Sequence, residues 1–169
     1  MTFKQKLAAY VIGYLTDKDI PDIGISALSE GLESENLTIM AGLSENENRF
    51  VLRGYFTKAL EDMQLQLPDT SEAKMTIVDY YADEIIAGRL DPYDGYETLQ
   101  RAIGFDDDKD RYDLGEAYRD YIVLWETHTN GLCFYDKSKT TKEQFIVDTN
   151  EALVNALKRR KARVSGLKR

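Results

Sequence analysis

The sequence predicts an all-α protein, an antiparallel bundle of about seven or eight helices. Three observations carry this. Only three prolines interrupt 169 residues. Apolar residues recur at three- and four-residue intervals through most of the chain, the period of a helix with one buried face. No stretch shows the apolar–polar alternation of a half-buried strand, and no repeat of fixed period is present. At this length one helical domain over residues 1–169 is the expectation, with two small helical subdomains as the alternative.

Residues 3–15 read as the first helix, with Leu7, Val11 and Leu15 four apart. The start resembles a signal peptide, since Lys4 and Lys6 precede an apolar run. Thr16, Asp17 and Lys18 follow it in place of a small-x-small cleavage site, so an amphipathic helix is the better reading. Pro21 suits a first helical turn and Gly31 a left-handed end, which brackets a second helix with Ile20, Ile23, Ala27 and Leu28 on one side. Ser34 as cap and Gly42 as terminator bracket a short third.

Ser44 and Glu47 have the spacing of a capping box for a fourth helix. Its apolar residues are Phe50, Val51, Tyr55, Ala59, Leu60 and Met63. Gly54 inside it costs about 1 kcal/mol relative to alanine, which suggests close packing against another helix. Pro68 marks the end of this helix. Asp69 and Glu72 can cap a fifth, about residues 70–87, with a stripe of Met75, Val78, Ala82, Ile85 and Ile86. A sixth runs to about Ile103, a seventh over about 110–128, and the last from Thr141, with Thr140 and Glu143 as a second capping box. Leu114, Ala117, Tyr118, Tyr121, Leu124 and Trp125 share one face of the seventh; Phe145, Ile146, Thr149, Ala152, Leu153, Ala156 and Leu157 trace the last. Between these two, Leu132 to Tyr135 form a brief extended piece of a loop.

The corner between the fifth and sixth helices, Gly88 to Gly95, has a mechanical reading at each position. Gly88 ends one helix in the left-handed conformation. Asp91 offers an oxygen to the exposed amides of the next, Pro92 stands where no N–H is needed, and Asp94 suits the positive end of the dipole. Gly95 keeps a side chain out of the helix contact, and Leu90 and Leu99 pack inward. A phosphate site at this helix start is disfavoured by the two aspartates already there.

These residues carry a resemblance. Ile85-Ile86-Ala87-Gly88 followed by Asp91-Pro92-Tyr93-Asp94-Gly95 is similar to a corner found in small, uncharacterised helical proteins of bacteria. Ile20-Pro21, Leu28-Ser29-Glu30-Gly31, Ser34-Glu35-Asn36-Leu37 and Ala41-Gly42-Leu43 extend the similarity over roughly residues 7–103. The resemblance implies a helical fold and a bacterial source. It transfers no active site, and it implies action through partners, in the manner of regulatory or immunity proteins.

Charge narrows the function further. The net charge is −8, yet residues 158–169 hold seven cations and no acids, so residues 1–157 carry −15. An acidic body repels nucleic acid. The basic C-terminal extension, with Lys158, Arg159, Arg160, Lys161 and Arg163, is read as a dipole-suited helix end with a frayed tail. RNA contact through it is the alternative, though no aromatics are interleaved for stacking. Cys133 is the single cysteine, which excludes an internal disulfide and suits a reducing, cytoplasmic setting. No run approaches the about 18 apolar residues of a membrane span.

Chemistry finds little support. Asp106, Asp108 and Asp110 match an EF-hand loop, but Arg111 and Ala117 stand where glycine and the bidentate glutamate belong. His128, Cys133 and Asp136 share a loop, without an oxyanion element, in apolar company that suits an inert buried thiol. Asp79 and Asp83, with Glu84, could hold a metal, yet a lone histidine rules out the Glu-x-x-His pair of bundle di-metal sites. No nucleotide or nucleophile-elbow motif is present. The expectation is a non-enzymatic protein without cofactor, working by protein–protein contact. Its partner face would be Tyr80, Tyr81, Tyr93 and Tyr96 with Asp79 and Asp83, a surface for a basic partner. A homo-oligomer and a carboxylate-based metalloenzyme stay open.

Overall fold

The computed structural model describes residues 1–104, 112–132 and 134–166. Those residues form α1 (Phe3–Val11), a 3₁₀ turn (Asp17–Asp19), α2 (Ile20–Ser29), α3 (Glu35–Gly42), α4 (Arg49–Asp62), α5 (Thr70–Ile86), α6 (Pro92–Ile103), α7 (Gly115–Thr129) and α8 (Lys142–Gly166). The protein is all-α, and no strand occurs among the described residues. Contacts divide it into two compact units, Met1–Ile77 and Val78–Arg169, with the division inside α5.

The first unit packs Phe3 and Leu7 of α1 with Ile20, Ile23 and Ala27 of α2, Leu37 and Met40 of α3, and Leu52, Phe56, Ala59 and Leu60 of α4. Burial of each large apolar side chain is worth about 1.5–3 kcal/mol, so this cluster outweighs the caps in stability. The caps set where helices start. Ser34 Oγ accepts from Leu37 N at 3.0 Å. Asp69 and Glu72 cap the start of α5 reciprocally, with Glu72 N donating to Asp69 Oδ1 at 2.9 Å.

Three sequence expectations are corrected in this unit. The first helix stops at Val11, not residue 15, because Gly13 turns left-handed (φ +77°) and the amides of Tyr14 and Leu15 fold back onto Ala9 O. Ser44 does not start the fourth helix. Its hydroxyl accepts from Asn46 N in a turn, and Asn48 caps instead, taking Phe50 N at 2.8 Å. Leu52 and Phe56 of this helix face inward, and Phe50 and Val51, expected on the buried side, are exposed. Gly54 has no close helix neighbour, since a Cβ there would meet nothing within 4 Å.

In the second unit α6, α7 and α8 pack on one another. Its buried residues include Tyr81, Ala82 and Ile85 of α5, Tyr96, Leu99 and Ile103 of α6, Ala117, Tyr121 and Leu124 of α7, and Leu153, Ala156 and Leu157 of α8. The seventh helix starts at Gly115, later than expected, after Asp113 adopts φ 54°. Thr141, not Thr140, caps the last helix, accepting from Gln144 N at 3.2 Å. That helix continues through the basic run to Gly166, so Lys158 to Arg163 are ordered helix. The acidic 105–111 connection, Cys133 and residues 167–169 lie outside the described residues.

Candidate interaction surfaces

The α5–α6 corner is built as the sequence reads. Gly88 has φ 70°. Asp91 Oδ1 accepts from Tyr93 N at 2.9 Å and Asp94 N at 3.2 Å. A Cβ on Gly95 would sit 2.7 Å from Ile85 Cγ1, closer than side chains tolerate, so glycine is required for α6 to approach α5 there. Asp91→Ala is expected to cost about 1 kcal/mol, read from urea unfolding, because two amides lose their acceptor.

The tyrosines chosen as a partner face are mostly structural. Tyr81 and Tyr96 are buried, and Tyr80 and Tyr93 are half-buried. Tyr93 stacks on Tyr121 with ring centres 5.6 Å apart, and lies 4.8 Å from the His128 ring. Tyr96 lies 5.1 Å from Tyr121. These rings join α6 to α7. Burial pushes the Tyr121 phenol up to about 12, and it raises Tyr96 and Tyr93 as well.

An unfolded tyrosine ionises near 10, so folding favours the neutral Tyr121 phenol. That stability is complete below pH 10 and drains away as pH rises through about 12. An ultraviolet titration of the folded protein should therefore show some of the eleven tyrosines ionising late. Tyr121→Phe should flatten the stability loss above pH 10. A single titrating class near the ordinary value would contradict this packing.

The acidic residues of that face meet the basic run of α8. Arg160 NH1 donates to Asp79 Oδ1 at 2.8 Å, and its Nε donates to Tyr112 O at 2.7 Å. Lys161 bonds Asp83 at 2.6 Å. Arg159 bonds Glu116 at 2.8 Å, and holds that carboxyl below its ordinary range. Arg163 bonds Asp113 at 2.6 and 3.0 Å. Arg160 is 2% exposed, whereas the other pairs are open to solvent and individually weak. Lys158 is exposed, beside Pro92, Val147 and Asn150 around a depression of about 460 Å³. The two charge clusters that the sequence offers to partners thus neutralise one another within the second unit.

Among the described residues the chemical candidates do not come together. His128 is exposed at the end of α7, and Asp136 turns its carboxylate to Ser138 and Lys139. Cys133 and the calcium-loop aspartates lie outside the described residues. Among the described residues no three His, Cys, Asp or Glu side chains converge on a metal site, and no helix is long and apolar enough to cross a membrane.

A surface that sequence reasoning missed lies on the first unit. The link between α4 and α5 carries Leu65 and Leu67, both exposed. Three depressions of about 440, 600 and 380 Å³ meet at Leu67. Phe3, Leu7 and Leu32 floor the first; Tyr10 and Leu15 line the second, and Tyr10, Phe56 and Leu60 the third. Arg53 borders the last two and is held by Asp17 Oδ1 at 2.8 Å, which keeps that carboxyl below its usual range. The signal in the sequence is "LQLP", two leucines spaced by one residue after a helix end, where a polar link is the norm. Comparison with known proteins finds no matching family model, no matching curated protein and no matching solved structure.

Proposed function

We propose that the protein acts without catalysis, as a bacterial cytoplasmic regulator or inhibitor that docks another protein on its first unit. The observation that carries this reading is the trough of three apolar depressions meeting at Leu67. An amphipathic helix presents apolar anchors at three- and four-residue intervals, and successive depressions receive such anchors. The first unit holds 12 acids against 7 lysines and arginines, which favours a partner helix with a basic polar face.

A model amphipathic helix of leucine and lysine tests this on the full chain by calorimetry. It should bind saturably, and Leu67→Asp should weaken it at least about tenfold. Leu67 is exposed, so the substitution leaves the fold intact. Adding a carboxylate would strengthen mere electrostatic adhesion of a cationic peptide. Unchanged or tighter binding by Leu67→Asp would therefore overturn the reading.

A further inference from the structure

We infer that Glu61 is the residue that reads a basic anchor, a lysine or arginine side chain of the docked helix; the inference rests on the docking proposed above. Glu61 lines the third depression at Leu67, together with Tyr10, Phe56, Leu60 and Leu65. The Tyr10 and Phe56 rings meet edge to face there, with centres 5.0 Å apart. Such a floor suits the apolar stem of a long cationic side chain, whose charged head then needs an acid at the rim.

Glu61 is the acid open to receive it. It is exposed, and among the described residues no hydrogen bond or ion pair engages its carboxylate. Lys58, one turn before it, lies over the Tyr55 ring at 5.4 Å instead. The other acids lining the trough are engaged. Asp17 takes Arg53 and the Tyr10 hydroxyl, and Glu72 takes the Asp69 amide at the start of α5. Arg53 stands two turns before Glu61, about 12 Å along the helix axis. That exceeds the screening length of about 8 Å at physiological salt, so Arg53, already paired with Asp17, leaves the Glu61 charge in place.

Its place on the helix gives a second reason. Glu61 sits in the last turn of α4, which holds no basic residue. An acid is unfavourable at the negative end of a helix dipole, and a cation brought from outside is favourable there. The neighbouring Asp62 has a use within the fold, accepting from Asn36 Nδ2 at 2.9 Å. The first depression has the opposite bias. Phe3, Leu7 and Leu32 floor it, Lys4 lines it, and Glu72 is turned to its own helix start, so it takes an apolar anchor.

Calorimetry of the full chain with two model helices tests this, one of leucine and lysine, the other of leucine and glutamine. Glu61→Gln should weaken the leucine–lysine helix about fivefold at low salt and leave the leucine–glutamine helix unchanged. It should also hold or raise the thermal midpoint, because a carboxylate leaves the negative end of α4, so weaker binding is not lost folding. Glu45→Gln is the control. It removes an exposed acid of the same unit that lines none of the three depressions, and should weaken the leucine–lysine helix less than about twofold. Equal losses at 45 and 61, or no loss at 61, would overturn the inference. Weakening by Leu67→Asp without weakening by Glu61→Gln rejects the basic anchor alone, whereas indifference to both rejects the docking trough as well.

Discussion

Arg160→Ala should destabilise the protein by about 2–3 kcal/mol, through the cavity left by its buried stem and the buried acceptor that loses its donor. Arg160 is the largest of the fully buried side chains. Its guanidinium serves two acceptors at once, the Asp79 carboxylate and the Tyr112 carbonyl. Truncation removes the pair, leaves that carbonyl without this donor, and opens a cavity along the arginine stem. Arg160→Lys should recover little, because one ammonium on a flexible stem does not reproduce the planar fork. Arg159→Ala is the control. Its pair with Glu116 is solvent-exposed, and its loss should cost less than about 1 kcal/mol. Urea unfolding of the three variants reads these differences. Equal, small effects at 159 and 160 would mean that the end of α8 is not seated as described.

Gly95→Val should cost about 3 kcal/mol or more. The new Cβ would lie 2.7 Å from Ile85 Cγ1 and 3.1 Å from Leu90 Cβ. Ile85 is buried and cannot swing away, so α6 must move off α5. Even Gly95→Ala should destabilise, although alanine ordinarily gains about 1 kcal/mol over glycine in a helix. Ile85→Val beside Gly95→Ala should restore part of the loss, a coupling that double-mutant analysis measures directly. Gly54→Ala should instead stabilise, because a Cβ there meets nothing within 4 Å. Two helical glycines, alike in sequence, should respond with opposite sign because one faces a side chain and the other faces open space.

The all-α class was legible because it rests on a period, which survives small errors of position. The 88–95 corner was legible too. Its glycines, aspartates and proline act through their own backbone or the next turn, so local rules suffice. The fourth helix differs from its sequence expectation for the converse reason. Ser44 and Asn48 are both good caps, and only packing chooses between them. Asn48 caps, and the side of the helix that meets the core carries Leu52 and Phe56 and not Phe50. The candidate face failed to be a separate surface for a similar reason. Asp79 and Arg160 lie 81 positions apart, Asp83 and Lys161 78 apart, and no local pattern says that acids of α5 will meet cations of α8. The Leu67 trough depends on where an irregular link crosses the first unit, which periodicity does not encode.

The binding proposed here falls to the first unit, because Asp79 and Asp83 of the second are paired with Arg160 and Lys161. Amide and methyl NMR of the full chain, titrated with the leucine–lysine helix, tests it residue by residue. Shifts should gather at Phe3, Leu7, Tyr10, Leu65 and Leu67 and leave Asp79, Asp83 and residues 158–163 unmoved. Shifts centred on Asp79 and Asp83, with Arg160 and Lys161 released, would contradict it.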